Sequence, residues 1–181
     1  FSQLMRRLGD LQITNTLRFI GDQGRDVIRK TLEASAPGAR WREGECLAEP
    51  AGPVTQVLRH EGSPRYVQRY DLPALIALAK DAEARITVGC AVGDMVMDGS
   101  VMLRVIGGAG TVPEAALSRA VAPGADRTFD QDPKYPIRLL VDIAIKALSP
   151  AINDPTTAVQ ALDQIDDLLR RLARAELGDG Q

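Results

Sequence analysis

Residues 127–158 read RTFDQDPKYPIRLLVDIAIKALSPAINDPTTA and gather polar side chains around one apolar run. Prolines at 133, 136, 150 and 155 divide the stretch into a loop, a helix, a reversal and the start of a second helix. The candidate site residues in this stretch are Arg127, Asp130, Asp132, Arg138, Asp142, Asn153 and Asp154. Polar groups so close to buried segments need one another, solvent or a ligand as partners.

Two interpretations of this polar set are open. In the structural one, Asp154 or Asn153 caps a helix, the two arginines pair with carboxylates, and Asp132 shapes the turn before Pro133. In the functional one, the Asp and Asn side chains surround a hard cation or a small polar ligand of unknown identity. We favour the structural interpretation, because caps and prolines explain several members and no nucleophile–base pair accompanies them.

The reversal between the two helices predicts one connected polar site. Ser149-Pro150 ends one helix and Asn153-Asp154-Pro155 starts the next, so carbonyls and amides at two helix ends need partners. Arg127 or Arg138 is expected to bond to carboxylates or to the loop around Asn153. If Arg138 is buried there, replacing it with alanine costs roughly 3–5 kcal/mol, because a carboxylate is left unpaired.

The same stretch resembles the signature of a bacterial family of predicted membrane proteins, known as domain of unknown function 2254. The resemblance rests on RT-x-x-Q-D-P at residues 127–133 and on A-L-S-P-x-I-N-D-P-x-T-A at residues 147–158. It implies membrane spans N-terminal to this chain, a location at the inner membrane, and a soluble C-terminal portion. It implies no reaction, because the family has no established activity.

Composition narrows the class of protein. The 181 residues are enough for one domain or two small subdomains, and 45% hydrophobic with 25% charged residues is typical of globular proteins. A net charge of −2 without a basic, aromatic-rich stripe argues against nucleic acid as a partner. Cys46, Cys90 and the single His60 lie far apart, which predicts free thiols and no zinc site. We expect no cofactor.

The sequence predicts no membrane-spanning segment within this chain. The longest uncharged apolar runs, 72–79 and 86–93, are far shorter than the roughly 18–20 residues that span a bilayer. The chain starts at Phe1 without an initiator Met, which leads us to expect membrane spans upstream. We expect this portion to lie on the cytoplasmic side of the inner membrane. Residues 1–43 carry eight Lys/Arg against five Asp/Glu, which suits anionic headgroups or simply a solvated helix face.

The N-terminal residues have the spacing of a helix. Apolar residues recur at positions 4, 8, 11, 17, 20, 27, 28 and 32, and the Thr14-Asn15-Thr16 cluster predicts a break near residues 12–16. Residues 36–53, rich in Ala, Gly and Pro, predict a linker.

The middle of the chain predicts strands around one helix. We expect strands at 54–58, 66–70, 85–91 and 101–106, and a helix at 72–84 capped by Asp71. VGDMVMDGS, residues 92–100, resembles the hairpin of lipoyl-like carrier barrels, but it has no Lys that could carry a prosthetic group. The glycines at 107, 108 and 110 predict a turn, since they do not complete a dinucleotide-binding pattern.

The C-terminal third predicts helices. A capping box, Thr111-x-x-Glu114, opens a helix to about Val121. A second helix starts at Pro136 with residues 137, 140, 141, 144 and 148 on its apolar face. In the last helix, residues 159, 162, 165, 169 and 172 are expected to be buried, with Asp166–Arg170 and Asp167–Arg171 pairs on the far side.

These patterns predict an α+β protein in three regions: a membrane-proximal helix at 1–36, a β-rich region at 37–110, and a helical region at 111–177. We expect a non-enzymatic extramembrane module of a membrane protein that serves assembly, sensing or gating. A homo-oligomer is expected, since the apolar positions of residues 4–32 exceed what the β region covers. The alternative is a metal-assisted hydrolase or other enzyme that uses the acidic residues of 130–154.

Overall fold

The computed structural model describes residues 2–34, 52–108 and 110–177, with side chains from residue 12 to 33, 52 to 108 and 110 to 174. The helices are α1 (Ser2–Ala34), α2 (Leu72–Asp81), α3 (Glu114–Arg119), α4 (Lys134–Ala147) and α5 (Pro155–Leu177). The strands are β1 (Val54–Arg59), β2 (Arg65–Tyr70), β3 (Ala84–Val88), β4 (Met95–Val96), β5 (Val101–Gly107) and β6 (Val121–Gly124). The predicted α+β class is confirmed.

One compact unit is a bundle of the three longest helices, α1, α4 and α5. Its buried core consists of Leu17, Ile20, Ile28, Leu140, Ala144, Ala161 and Leu168. On α5 the inward positions are 158, 161, 165, 168 and 172, a spacing of three and four residues that keeps them on one helical face.

Helix α1 runs without interruption, so the predicted break near residues 12–16 is wrong. Thr16 lies within the helix, and its hydroxyl donates to the Gln12 carbonyl at 2.9 Å, one turn earlier. Leu17, Ile20 and the 27–28 pair are buried as predicted, whereas Leu32 is 40% exposed. The leucines at 4, 8 and 11 lie outside the described side chains, as does most of the predicted linker.

Gly24 explains how closely α1 packs on its neighbours. A Cβ added at this position would lie 2.7 and 2.8 Å from the two methyl groups of Leu168 on α5, and 3.2 Å from Pro136 on α4. Gly21, one turn earlier, is similarly covered by Gln164. The two glycines cost helix propensity but allow the close approach.

The predicted apolar faces of α4 and α5 are partly wrong. Val159, Leu162 and Leu169 are 55%, 54% and 51% exposed, and Leu148 on α4 is 59% exposed. The cause is that α5 carries two adjacent apolar stripes, and periodicity alone does not decide which of them faces the core. Ala158, Ala161 and Leu168 take the inward face.

The second compact unit contains the strands with α2 and α3. Its strands form two antiparallel three-stranded sheets, in the orders β1-β5-β3 and β4-β2-β6. The hydrophobic core combines both sheets and both helices: Leu58, Val67, Tyr70, Leu75, Val96, Met102, Leu103, Val105, Val112, Leu117, Ala120 and Val121.

The local predictions for this unit mostly agree with the structure. Asp71 caps α2 by accepting from the Ala74 amide at 3.1 Å, as predicted. The predicted capping box before α3 is wrong, because Pro113 occupies the cap position and no side chain caps the helix. Strand β6 was missed, since VAPG has a proline and a glycine that argue against a strand; it lies at the edge of its sheet, where a proline is tolerated.

The two units differ from the three predicted regions. Helix α1 groups with the C-terminal helices, while α3 and β6 group with the strands. The units divide between Asp132 and Pro133, inside the RT-x-x-Q-D-P motif. Hydrophobic pattern follows chain order, so it does not show that the first and last helices share a core.

Gly24→Val should destabilise the helical bundle by about 1–3 kcal/mol, because the new methyl groups overlap Leu168 in a packed core. Gln12→Val, at an exposed position of the same helix, is the control for β-branched helix propensity and should cost only a few tenths of a kcal/mol. Thermal unfolding followed by circular dichroism measures both; equal melting temperatures for the two variants would contradict the packing argument.

Candidate functional site

Arg127 and Asp132 form a buried ion pair in the second compact unit, which contains the strands and is called the β unit below. The unit built from α1, α4 and α5 is called the helical unit. The Arg127 Nε and Nη2 groups donate to Asp132 Oδ2 at 3.0 and 2.6 Å. The side chain of Asp132 is 2% exposed and that of Arg127 is 24% exposed. Burying a carboxylate so far from water is costly unless it is hydrogen-bonded to a cation, and Arg127 provides those bonds.

The ion pair packs against the backbone of Gly93. This residue has a φ of +87°, and a Cβ there would overlap Asp132 Oδ2 and lie 2.8 Å from Arg127 Nη2. The Gly93 amide donates to the Val67 carbonyl on β2 at 2.8 Å. In the sequence, Gly93 is only one residue of the VGDMVMDGS stretch, and its contact with residues 127 and 132 depends on the fold.

Gln131 fastens the same loop to β2. Its side-chain carbonyl accepts from the Tyr70 amide at 3.0 Å, and its side-chain amide donates to the Tyr70 carbonyl at 3.1 Å. The side chain thus pairs with the strand as a neighbouring strand would. Gln131 lies in the RT-x-x-Q-D-P motif but was not among the predicted site residues; its motif position was the available signal.

Two potentially reactive groups in this unit are held in unreactive states. The Tyr70 hydroxyl donates to the Cys90 carbonyl at 2.8 Å, and burial raises the pKa of Tyr70 well above its usual value. The Cys90 thiol bonds to the Val101 carbonyl at 3.1 Å, and burial raises the pKa of this thiol as well. At neutral pH Cys90 is therefore protonated and a poor nucleophile.

The remaining members of this loop contribute little to a site. Asp130 is exposed. The Thr128 hydroxyl oxygen is buried and has no hydrogen-bond partner within the described part of the chain. Nothing in the structure explains why a hydroxyl stands there.

Arg138 and Asp142 pair on the surface of α4. Arg138 Nε donates to the two carboxylate oxygens at 3.1 and 3.2 Å, and the two side chains are 68% and 51% exposed. Arg138 is therefore not the buried partner that the sequence led us to expect. Its position four residues before Asp142 makes this an ordinary helix-surface pair.

The reversal from α4 to α5 is closed by backbone hydrogen bonds. The Asn153 amide donates to the Ser149 carbonyl and the Asp154 amide to the Ala147 carbonyl, both at 2.8 Å. Asn153 has a φ of +47°, a left-handed conformation that asparagine tolerates better than most residues. These bonds satisfy carbonyls at the end of α4 without any arginine.

Asp154 caps α5, as predicted. Its Oδ1 accepts from the Thr157 amide at 3.1 Å, its Oδ2 accepts from the Thr157 hydroxyl at 2.5 Å, and Pro155 is the first helical residue. The hydroxyl and amide of Thr157 lower the pKa of the Asp154 carboxyl, because both donate to the ionised form. The I-N-D-P-x-T-A residues thus serve as a helix start.

The seven predicted site residues fall into two groups. Arg127, Asp130 and Asp132 belong to the β unit, and Arg138, Asp142, Asn153 and Asp154 belong to the helical unit. The bonds within each unit are local: residue 127 with 132, 138 with 142, and 154 with 157. That all seven form one connected site stays a prediction.

The structure bears on two of the expectations, a metal site and membrane-spanning segments. Across the part of the chain that the structure describes, no three His, Cys, Asp or Glu side chains are grouped so that they could hold a metal ion. Within the same residues, every helix is too short or too polar to cross a bilayer.

Residues 7–181 match the family described as "Predicted membrane protein (DUF2254)". The chain belongs to this family. It is 35% identical over 137 residues to uncharacterised proteins of Mycobacterium bovis and Mycobacterium tuberculosis, a match that covers 72% of this chain and 26% of each relative. The chain thus spans about a quarter of the length of these relatives. No solved structure matches it.

Arg127→Ala should lower the free energy of unfolding by roughly 3–5 kcal/mol, because it removes the guanidinium that donates two hydrogen bonds to the buried Asp132 carboxylate. Arg138→Ala is the matched control and should cost about 0.5 kcal/mol or less, since both partners of that pair are exposed. Urea unfolding followed by circular dichroism compares the two. Similar losses for both variants would refute the structural role assigned to Arg127.

Asp154→Ala should cost about 1 kcal/mol at pH 7, because the α5 cap is lost. Since the folded pKa of Asp154 lies below its ordinary value of 3.8, the ionised cap stabilises the fold above that value and the contribution is lost as the pH falls through the lowered pKa. The stability gap between wild type and Asp154→Ala should therefore narrow towards about pH 2.

Asp154→Asn, which keeps a capping oxygen, should stay close to wild type at pH 7. Urea midpoints over the pH series provide the measurement. A gap between wild type and Asp154→Ala that is the same at every pH would show that the charge of the Asp154 carboxylate adds nothing to the cap.

Proposed function

We propose that this chain is the extramembrane module of a longer integral membrane protein and that it serves assembly, sensing or gating rather than catalysis. The observation that carries the proposal is family membership over residues 7–181, in a family described as a predicted membrane protein. The relatives extend well beyond the matched region, which covers 26% of their length, and we place the membrane-spanning part there.

The exposed faces of the helical bundle support an aqueous setting for this module. Arg29 pairs with Asp26 and Glu33 on α1, Arg138 with Asp142 on α4, and Arg170 with Asp166 on α5. Of these side chains Asp26 is 39% exposed and the others are more than half exposed. A charged side chain at the centre of a bilayer costs about 2.5–3.5 kcal/mol even on the most lenient scales. Helices with such faces are suited to water rather than to lipid.

A structural use of the polar motif supports a non-catalytic role. Arg127 and Gln131 hold the loop after β6, and Asp154 starts α5. Cys90 is kept protonated by its surroundings. The competing proposal, a metal-assisted hydrolase, would need a group of metal ligands. Among the described residues, no three Asp, Glu, His or Cys side chains are grouped so that they could hold a metal ion.

The side of the membrane is also a proposal. Residues 1–43 carry eight Lys/Arg against five Asp/Glu. Basic residues next to membrane spans favour the cytoplasmic face, by the positive-inside rule. We therefore place the module on the cytoplasmic side of the inner membrane, as part of a homo-oligomer.

Cysteine labelling in membrane vesicles tests this placement. In the whole membrane protein without native cysteines, Arg170→Cys presents a thiol at an exposed position of α5, and Leu168→Cys is the buried control on the same helix. A membrane-impermeant maleimide should label residue 170 in inside-out vesicles only and residue 168 in neither orientation. Labelling of residue 170 in right-side-out vesicles would reverse the sidedness, and recovery of the protein in the soluble fraction would refute the membrane role.

Thermal unfolding with a panel of divalent cations tests the alternative. We expect no cation-specific rise in melting temperature. A saturable rise with one cation that is abolished by Asp130→Asn or Asp142→Asn would favour the metal-dependent enzyme.

A further inference from the structure

Helix α5 carries an apolar stripe that its own bundle does not cover. The open stripe comprises Val159, Leu162, Asp166 and Leu169, spaced three and four residues apart on one helical face. Its three apolar members are each more than half exposed. A second apolar stripe on the same helix, with Ala161 and Leu168, is fully buried.

Contacts of α5 with α1 show which side of the helix stays open. Thr14 donates to Gln160 at 3.5 Å, and Arg25 bonds to Gln164 and Asp167 at 3.2 and 2.9 Å. Helix α1 therefore lies along positions 160, 164 and 167, and the core along 161, 165 and 168. At 100° per residue, the open stripe lies on the side of α5 away from α1.

The charges beside the open stripe are separated along the helix. Asp163 and Asp166 lie in the N-terminal half of α5, and Arg170 and Arg174 lie in its C-terminal half. All four side chains are exposed. Two such helices side by side and parallel would place like charges together. Antiparallel helices would place the acidic half of each beside the basic half of the other.

We propose that the open stripe of α5 is an interface with a second copy of this chain, antiparallel about a two-fold axis near Asp166. The Asp166 carboxylate is already paired with Arg170 of its own helix at 2.7 Å, which offsets the repulsion between the two Asp166 side chains at the axis. Leu162 then lies within about one residue rise, ~1.5 Å, of the level of Leu169 of the partner subunit. Asp163 lies equally close to the level of Arg170 of the partner subunit. The inference rests on the assembly role proposed above and names the surface that performs it.

One pair of helices buries less than the roughly 1,600 Å² of a standard protein interface, so the association is weak and depends on concentration. In the whole membrane protein, confinement to one bilayer raises the effective concentration of the modules. A weak contact of this kind suits an assembly that is regulated.

Sedimentation equilibrium of the 181-residue chain tests the surface. Leu162→Glu should raise the dimer dissociation constant at least tenfold, because it places a charge in the apolar contact. Ile145→Glu, at a 65% exposed position of α4 outside the stripe, is the matched control and should leave the constant unchanged. Circular dichroism shows that both variants fold; equal effects of both, or a wild-type monomer up to millimolar concentration, would overturn the interface.

Disulfide trapping tests the orientation in a chain that also carries Cys46→Ser and Cys90→Ser. Asp166→Cys, near the axis, should cross-link two copies. Val159→Cys should not, since its counterpart lies about 14 residues, ~21 Å, away in the antiparallel arrangement. Cross-linking of both variants would indicate a parallel pair and contradict the proposal.

Binding to lipid vesicles tests whether the open stripe contacts lipid instead of a second copy of the chain. A monomer that binds phosphatidylcholine–phosphatidylglycerol vesicles, and loses this binding on Leu162→Glu, would assign the stripe to lipid and overturn self-association. Such a result would leave the proposed membrane module standing, because that proposal is tested separately by recovery of the whole protein in the membrane fraction.

Discussion

The loop between β6 and α4 depends on one constraint, that the buried carboxylate of Asp132 must have hydrogen-bond donors. Asp132, 2% exposed, accepts two hydrogen bonds from Arg127, and the pair fits only because residue 93 is a glycine with a φ of +87°. With the loop closed in this way, Gln131 reaches the backbone of β2. The chain then leaves the β unit at a defined point, immediately before α4. One ion pair thus holds the loop that precedes α4.

The second half of the family signature, residues 147–158, forms the tight reversal between the helices α4 and α5. Backbone bonds from Asn153 and Asp154 close the end of α4, and the Asp154 carboxylate opens α5 with Thr157. Both halves of the signature therefore have structural uses in this chain. This is why we propose a module that assembles or transmits a signal, with its contact surface on α5, rather than a catalyst.

Local chemistry was predictable from the sequence, and long-range pairing was not. The caps at Asp71 and Asp154, four of the six strands found in the described residues, and the α+β class follow from side chains a few residues apart. The burial of Asp132 beneath Gly93, and the choice between two apolar stripes on α5, depend on segments far apart in the chain. Helical spacing identifies both stripes of α5 equally well, and only packing against α1 and α4 selects one.

A double-mutant cycle on Arg127 and Asp132 tests the central claim most directly. Arg127→Leu, Asp132→Leu and the double variant are compared by urea unfolding. If the pair fixes the loop, each single change leaves a charge without its partner, and the double variant recovers at least about 2 kcal/mol relative to the sum of the singles. Additive losses would contradict the account and would point instead to independent, ligand-directed roles for the two side chains.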